Sequence, residues 1–223
     1  MSFESAVAQA LADLAGARHI RRDATQRVPK SPGLYAFYGD EKAWSDLDLS
    51  PAFNDQPLYV GKAERSLNGR DVGTHFTTGK TGSSTVRRSL AALLAAQLDL
   101  VAVPRNVARP DGSANYSLDA AGDDRLSGWM EERLVLATWV KAKDVLLEEI
   151  ETAVLLRLRP PLNLDKVGEP RDRLRRAPRC LGERLQNLVR RRGVALAGDA
   201  RVALANRRRS DVGADSRQEW LSC

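Results

Sequence analysis

The segments of this chain able to form β-strands are short and irregularly spaced: Leu34-Tyr35-Ala36-Phe37-Tyr38, Pro57-Leu58-Tyr59-Val60-Gly61, and Leu134 to Val140. Each is rich in aromatic and branched residues, and Gly39-Asp40 stops the first. Helical patterns fall between and around them without regular alternation. The chain is therefore expected to be a small α+β domain and not a doubly wound parallel sheet. Its 223 residues allow one substantial core with extensions, and are few for two full domains.

Helical spacing of Phe3, Val7, Leu11 and Leu14 predicts a helix from Phe3 to about Ala17. His19 to Lys30 reads as a polar connector, and residues 40–56 as a loop. A weak helix is predicted over Ser66–Phe76, a polar loop over Thr77–Ser83, and a stronger helix over Ser84–Gln97. Residues 104–128 read as loop-rich, with a hairpin around Asn115–Leu118. A last helix is expected from Val145 to Leu158, with Asp144 as N-cap and Pro160-Pro161 as its stop.

The charge is uneven. The formal net charge is +6, yet from Arg171 onward there are 14 Arg, no Lys and 6 acids, or +8, which leaves −2 for the remainder. An Arg-rich extension of this kind suits a polyanion, because arginines neutralise phosphates and release counterions. Few aromatics are interleaved, so backbone contact is expected there and not base stacking. Arg190-Arg191-Arg192 is one such run, and Arg87-Arg88 after the polar loop is a second candidate contact.

Several classes are excluded. No stretch approaches the roughly 20 apolar residues of a membrane span. The N-terminus shows no basic-then-apolar leader. The expectation is a cytoplasmic protein with no membrane partner. Cys180 and Cys223 have no second pair nearby for a disulfide framework or a thiolate zinc site. Gly79-Lys80-Thr81 superficially matches the end of a phosphate-binding P-loop, but Thr74 stands where the required glycine belongs.

One carboxylate is out of place. At about 100° per residue, Leu147, Ile150, Val154 and Leu158 form the apolar side of the last helix, and Glu151 falls within that stripe. Glu148 and Glu149 point away from its middle. A carboxylate facing a core must be paired, hydrogen-bonded or bound to a metal, or must sit at the edge and reach water. Spacing leaves these open. A lone carboxylate suffices for Mg²⁺, which keeps waters and accepts phosphate oxygens.

Taken in order, Gly33-Leu34-Tyr35, Tyr59-Val60-Gly61 followed by Lys62, then Arg70 and His75, then Glu151 and Asn163 within Arg159-Pro160-Pro161-Leu162-Asn163 form a set that resembles the GIY-YIG nuclease superfamily. That superfamily includes excision-repair nucleases, homing endonucleases and some restriction enzymes. The similarity spans about residues 31 to 168. The resemblance implies a three-stranded antiparallel sheet flanked by helices in residues 31–168. A helical N-terminal extension (1–30) and an Arg-rich C-terminal one (169–223) would flank it.

By the same resemblance, Glu151 would hold a single Mg²⁺ or Mn²⁺, and Arg70 would grip the phosphate, with Arg65 as the alternative arginine. Tyr35 or Tyr59 would act as general base or position the attacking water, and Lys62 or the metal would supply the positive charge a phenol base needs. Asn163 would orient its neighbours, and His75 would assist proton transfer or bind phosphate. If Ser66–Phe76 were one helix, however, Arg70 and His75 would lie about 140° apart. The implied function is a metal-dependent endonuclease acting on nucleic acid, with DNA as the expected polymer. The alternative is a nucleic-acid-binding protein that keeps the fold and does not cut.

Overall fold

The computed structural model describes residues 1–70, 74–105 and 116–163, apart from the side chains of Thr25 and Arg70. Its centre is a three-stranded antiparallel sheet in the order β2-β1-β5, from Tyr59–Ala63 (β2), Gly33–Gly39 (β1) and Leu134–Val140 (β5). Tyr35 stands opposite Gly61 on one side and Thr138 on the other. A two-stranded ribbon, Ala102–Pro104 (β3) with Tyr116–Leu118 (β4), lies apart from it.

Both faces of β1 are buried, which is why Leu34–Tyr38 reads as an unbroken apolar run and not an alternating one. Leu34, Ala36 and Tyr38 join a core with Val60, Trp139 and the helices Phe3–Ala15 (α1) and Leu147–Leu158 (α7). Tyr35 and Phe37 join the opposite core with Ala63. That side also holds Arg21–Arg27 (α2), Glu41–Asp46 (α3), Leu67–Arg70 (α4), Thr85–Leu93 (α5) and Ala120–Arg133 (α6). The helix α1 is built into the domain: Ala6, Val7, Ala10 and Leu14 are core residues, and the Tyr38 hydroxyl donates to the Leu14 carbonyl at 2.9 Å.

Each outer edge of the sheet is occupied. Beside β5, the His19 N–H donates to the Leu136 carbonyl (2.7 Å), and the Leu136 N–H returns the bond (2.8 Å). Beside β2, the Leu162 N–H donates to the Leu58 carbonyl at 2.9 Å. The chain after Pro160-Pro161 thus covers the edge that β2 would otherwise expose.

Several expectations are corrected. Residues 40–56 contain α3, started by Asp40, whose carboxylate accepts from the Ala43 N–H at 2.7 Å. The expected connector after His19 contains α2. The region read as loop-rich ends in α6, capped by Asp119, which accepts from the Gly122 N–H at 2.8 Å. The buried side of α6 includes Asp123 and Ser127, so no apolar period announced it. The last helix begins at Leu147, after Leu146, and is not capped by Asp144. Of the weak helix expected over Ser66–Phe76, Leu67–Arg70 is α-helical (α4) and Thr74 and His75 lie in a π-helical turn, while residues 71–73 between them are outside the described residues.

Candidate active site

The two tyrosines meet because alternation puts them on one face of neighbouring strands. Tyr35 of β1 and Tyr59 of β2 have ring centroids 6.2 Å apart. The Tyr35 ring lies directly over Gly61, and a Cβ there would collide with its hydroxyl oxygen and come within 3.0 Å of Cε2. The second glycine of the motif pair is thus a space requirement. Gly33 has the same character: a Cβ would run into the Trp139 carbonyl of β5.

Behind Tyr35 is a buried polar chain. The Tyr35 hydroxyl is 2.7 Å from His75 Nε2, and His75 Nδ1 is 2.7 Å from Ser84 Oγ. His75 is fully buried and Tyr35 is 1% exposed. His75 thus contacts the phenol from behind and is not among the residues that line the cleft. Ser84 is the N-cap of α5, its oxygen accepting from the Arg87 N–H at 3.1 Å.

In front of the tyrosines opens a cleft of about 560 Å³ lined by Tyr35, Tyr59, Lys62, Arg65 and Glu151, among others. Glu151 reaches it because α7 packs its apolar side on the sheet beside β2, leaving Glu151 at that rim with 9% exposure. Lys62 sits on the same rim but is engaged. Its ammonium pairs with Glu148, one turn before Glu151, and with Glu64 at 2.9 Å. Glu148, and after it Glu64, hold the Lys62 ammonium well above the usual lysine range. Lys62 is thus a charged, carboxylate-bound group, and its charge is not reserved for either tyrosine.

Asn163 does not face the cleft as a reactive group. Its amide spans the open side of β2: Oδ1 accepts from the Val60 N–H (2.9 Å), and Nδ2 donates to the Val60 carbonyl (2.8 Å). Gln56 works similarly at the end of α7, donating to the Leu158 (3.1 Å) and Arg159 (2.8 Å) carbonyls. Together these bonds hold α7, and with it Glu151, against the strand that carries Tyr59.

The expected cationic contacts separate. Arg65 is exposed at the cleft. Arg70 closes α4, and its side chain lies outside the described residues. Arg88 is half-buried on α5. Arg87 is corrected: it is fully buried and ion-paired with Asp123. It also donates to Thr81 Oγ1 (3.0 Å), the His75 carbonyl (3.1 Å) and Ser127 Oγ (2.8 Å). An arginine so enclosed cannot touch a nucleic-acid backbone. Arg190, Arg191 and Arg192 lie outside the described residues.

Ser84, Glu64, Glu148, Gln56 and Asp123 were not among the sequence candidates. The i, i+3 spacing of Glu148 and Glu151, which places them on one face, was a usable signal. The others depend on contacts between distant segments.

Donor chemistry at the cleft suits a hard divalent cation. The Glu151 carboxylate and the tyrosine hydroxyls are oxygen donors. Among the described residues no group of three or more His, Cys, Asp or Glu side chains could hold a metal, so an ion here would rely on Glu151, water and a substrate phosphate. No helix among the described residues is long and apolar enough to cross a membrane.

Among known families, a model of the GIY-YIG catalytic domain matches residues 43–177, which is 135 of the 223 residues. The match begins after β1, so it includes Tyr59, Glu151 and Asn163 but not Tyr35. No curated protein and no solved structure matched the chain.

Proposed function

The chain belongs to the GIY-YIG family, and on that premise we propose that it is a metal-dependent endonuclease that hydrolyses phosphodiester bonds in nucleic acid, with DNA as the polymer. The observation that carries this reading is the meeting of Tyr35, backed by His75, with Glu151 at one cleft. Three segments far apart in sequence converge there.

Tyr35 is the base in this proposal. Tyr35 lines the cleft, and its hydroxyl is held by His75 behind it. It takes the proton of the attacking water, and His75 sets its orientation. Tyr59, on the same wall, positions the water. Arg65 or Arg70 grips the scissile phosphate with its planar fork. Asn163 keeps β2 and α7 in register. Glu151 would hold Mg²⁺ or Mn²⁺. When bound, the cation supplies charge stabilisation at the phosphate and the leaving oxygen. Arg88 and the arginines of the C-terminal segment, Arg190 to Arg192 among them, add sequence-independent phosphate contacts.

The test is cleavage of labelled DNA and RNA panels, including nicked, flapped and branched duplexes, in Mg²⁺, Mn²⁺ and EDTA. Wild type should cut with metal, and Glu151→Gln should be inactive while still folded. Binding without turnover by both proteins would move the assignment to a non-cleaving nucleic-acid-binding protein.

A further inference from the structure

The buried chain from Tyr35 to α5 has a direction. Ser84 Oγ has two partners, the Arg87 N–H at 3.1 Å and His75 Nδ1 at 2.7 Å. A hydroxyl has one proton and two lone pairs. The Arg87 N–H can only donate, so it occupies a lone pair. If His75 Nδ1 also carried a proton, both lone pairs would be used, and the Ser84 proton would be left without an acceptor at a residue with no solvent exposure. A buried donor without a partner is costly. If Ser84 instead donates to Nδ1, every bond is satisfied. Nδ1 is then bare, and the N–H of the ring is on Nε2.

We propose that Ser84 holds His75 as the Nε2–H tautomer, so that the imidazole donates to the Tyr35 oxygen and does not receive its proton. Ser84 is then a positioning residue that acts through His75. The consequence concerns proton direction. With Nε2–H facing it, the imidazole offers the Tyr35 hydroxyl no acceptor, so the phenol proton does not pass to His75. The phenolate oxygen, formed when the phenol proton leaves for solvent, keeps a hydrogen bond from buried His75. The proton taken from the attacking water ends on Tyr35 and returns to solvent through the cleft. Ser84 and His75 keep their protons throughout.

The catalytic consequence rests on Tyr35 being the base proposed above; the tautomer does not. The chain has two histidines, His19 and His75. Nitrogen-15 NMR of the labelled full chain, with His19→Gln for assignment, reads the His75 ring directly. The expected result is a proton on Nε2 and a bare Nδ1. Ser84→Asp keeps a cap acceptor for the Arg87 N–H but has no proton to give, so it should move the ring proton to Nδ1. Ser84→Ala should lower kcat roughly tenfold with KM unchanged, as expected when a base loses its orientation.

A wild-type ring protonated on Nδ1, or a Ser84→Asp ring that stays protonated on Nε2, overturns the inference. A protein that cuts nothing yet shows the expected tautomers would overturn the nuclease reading and leave the Ser84 assignment standing. Cleavage by a protein whose ring is protonated on Nδ1 would do the reverse.

Discussion

Replacing Gly61 with alanine probes the close approach that shapes the cleft. Gly61 is buried and faces Tyr35 across the β1–β2 pair. It is not among the residues with positive φ, so its backbone accepts alanine and the Tyr35 ring is the obstacle. The ring cannot retreat easily. It packs against Phe37 at 5.8 Å, Tyr59 at 6.2 Å and His75 at 5.3 Å between centroids.

Forcing a methyl into such a site costs about 1–3 kcal/mol. Displacing the phenol from His75 leaves a buried polar pair unmet, at roughly 1–3 kcal/mol. Alanine recovers about 0.4–1 kcal/mol through the unfolded chain. The net expectation is a loss of about 2–4 kcal/mol.

Urea denaturation of Gly61→Ala measures it. Gly128→Ala is the control, because Gly128 lies within α6 with nothing within 4 Å of a Cβ, and it should gain about 1 kcal/mol. In a Tyr35→Ala background the obstacle is gone, and Gly61→Ala should cost almost nothing. Equal costs of Gly61→Ala in the two backgrounds, or a Gly61→Ala protein as stable as wild type, would refute the Tyr35 ring as the reason for glycine.

Other expectations follow from neighbouring interactions. Arg87→Met leaves Asp123 buried without its cation and should cost about 3–5 kcal/mol, read by the urea midpoint, while the salt dependence of nucleic-acid binding stays as in wild type; a flatter slope would put Arg87 on a phosphate. Asn163→Ala strips the partners from the Val60 N–H and carbonyl, and should cost about 2 kcal/mol by the same measurement. Lys42, and with it the Trp129 indole, hold the Asp46 carboxyl at about 2 against an ordinary 3.8, although desolvation opposes them. Its stabilising contribution is therefore complete above 3.8 and is lost as pH falls through about 2; stability curves of wild type and Asp46→Asn should converge over that window. Deletion after Pro170 should weaken binding and flatten the dependence of log K on log salt by about 0.9 for each duplex-DNA phosphate that the tail no longer neutralises; an unchanged slope would remove the tail from the interface.

The family, the three strands of the main sheet and several of the residues that line the candidate cleft were legible in the order of residues. Strand-forming runs are local, and the tyrosine motifs, Glu151 and the Pro-x-x-Asn ending occur in a sequence order that survives without coordinates. Glu151 was also marked by helical periodicity, because a helix repeats its faces whatever it packs against. Tertiary structure decided the rest. Helix α6 was hidden because its inner face mixes Leu126, Trp129 and Met130 with Asp123 and Ser127, which surround Arg87, and only the fold makes those polar groups interior ones. Arg87 was read as a surface group for the same reason. The pairing of His75 with Tyr35 and Ser84, and the clasp of Asn163 on Val60, join residues whose distances along the chain say nothing of their distances in space. Local sequence sets which segments are helix or strand and which chemical groups they carry; the packing of α7 beside the β2 edge sets which of those groups share a cleft.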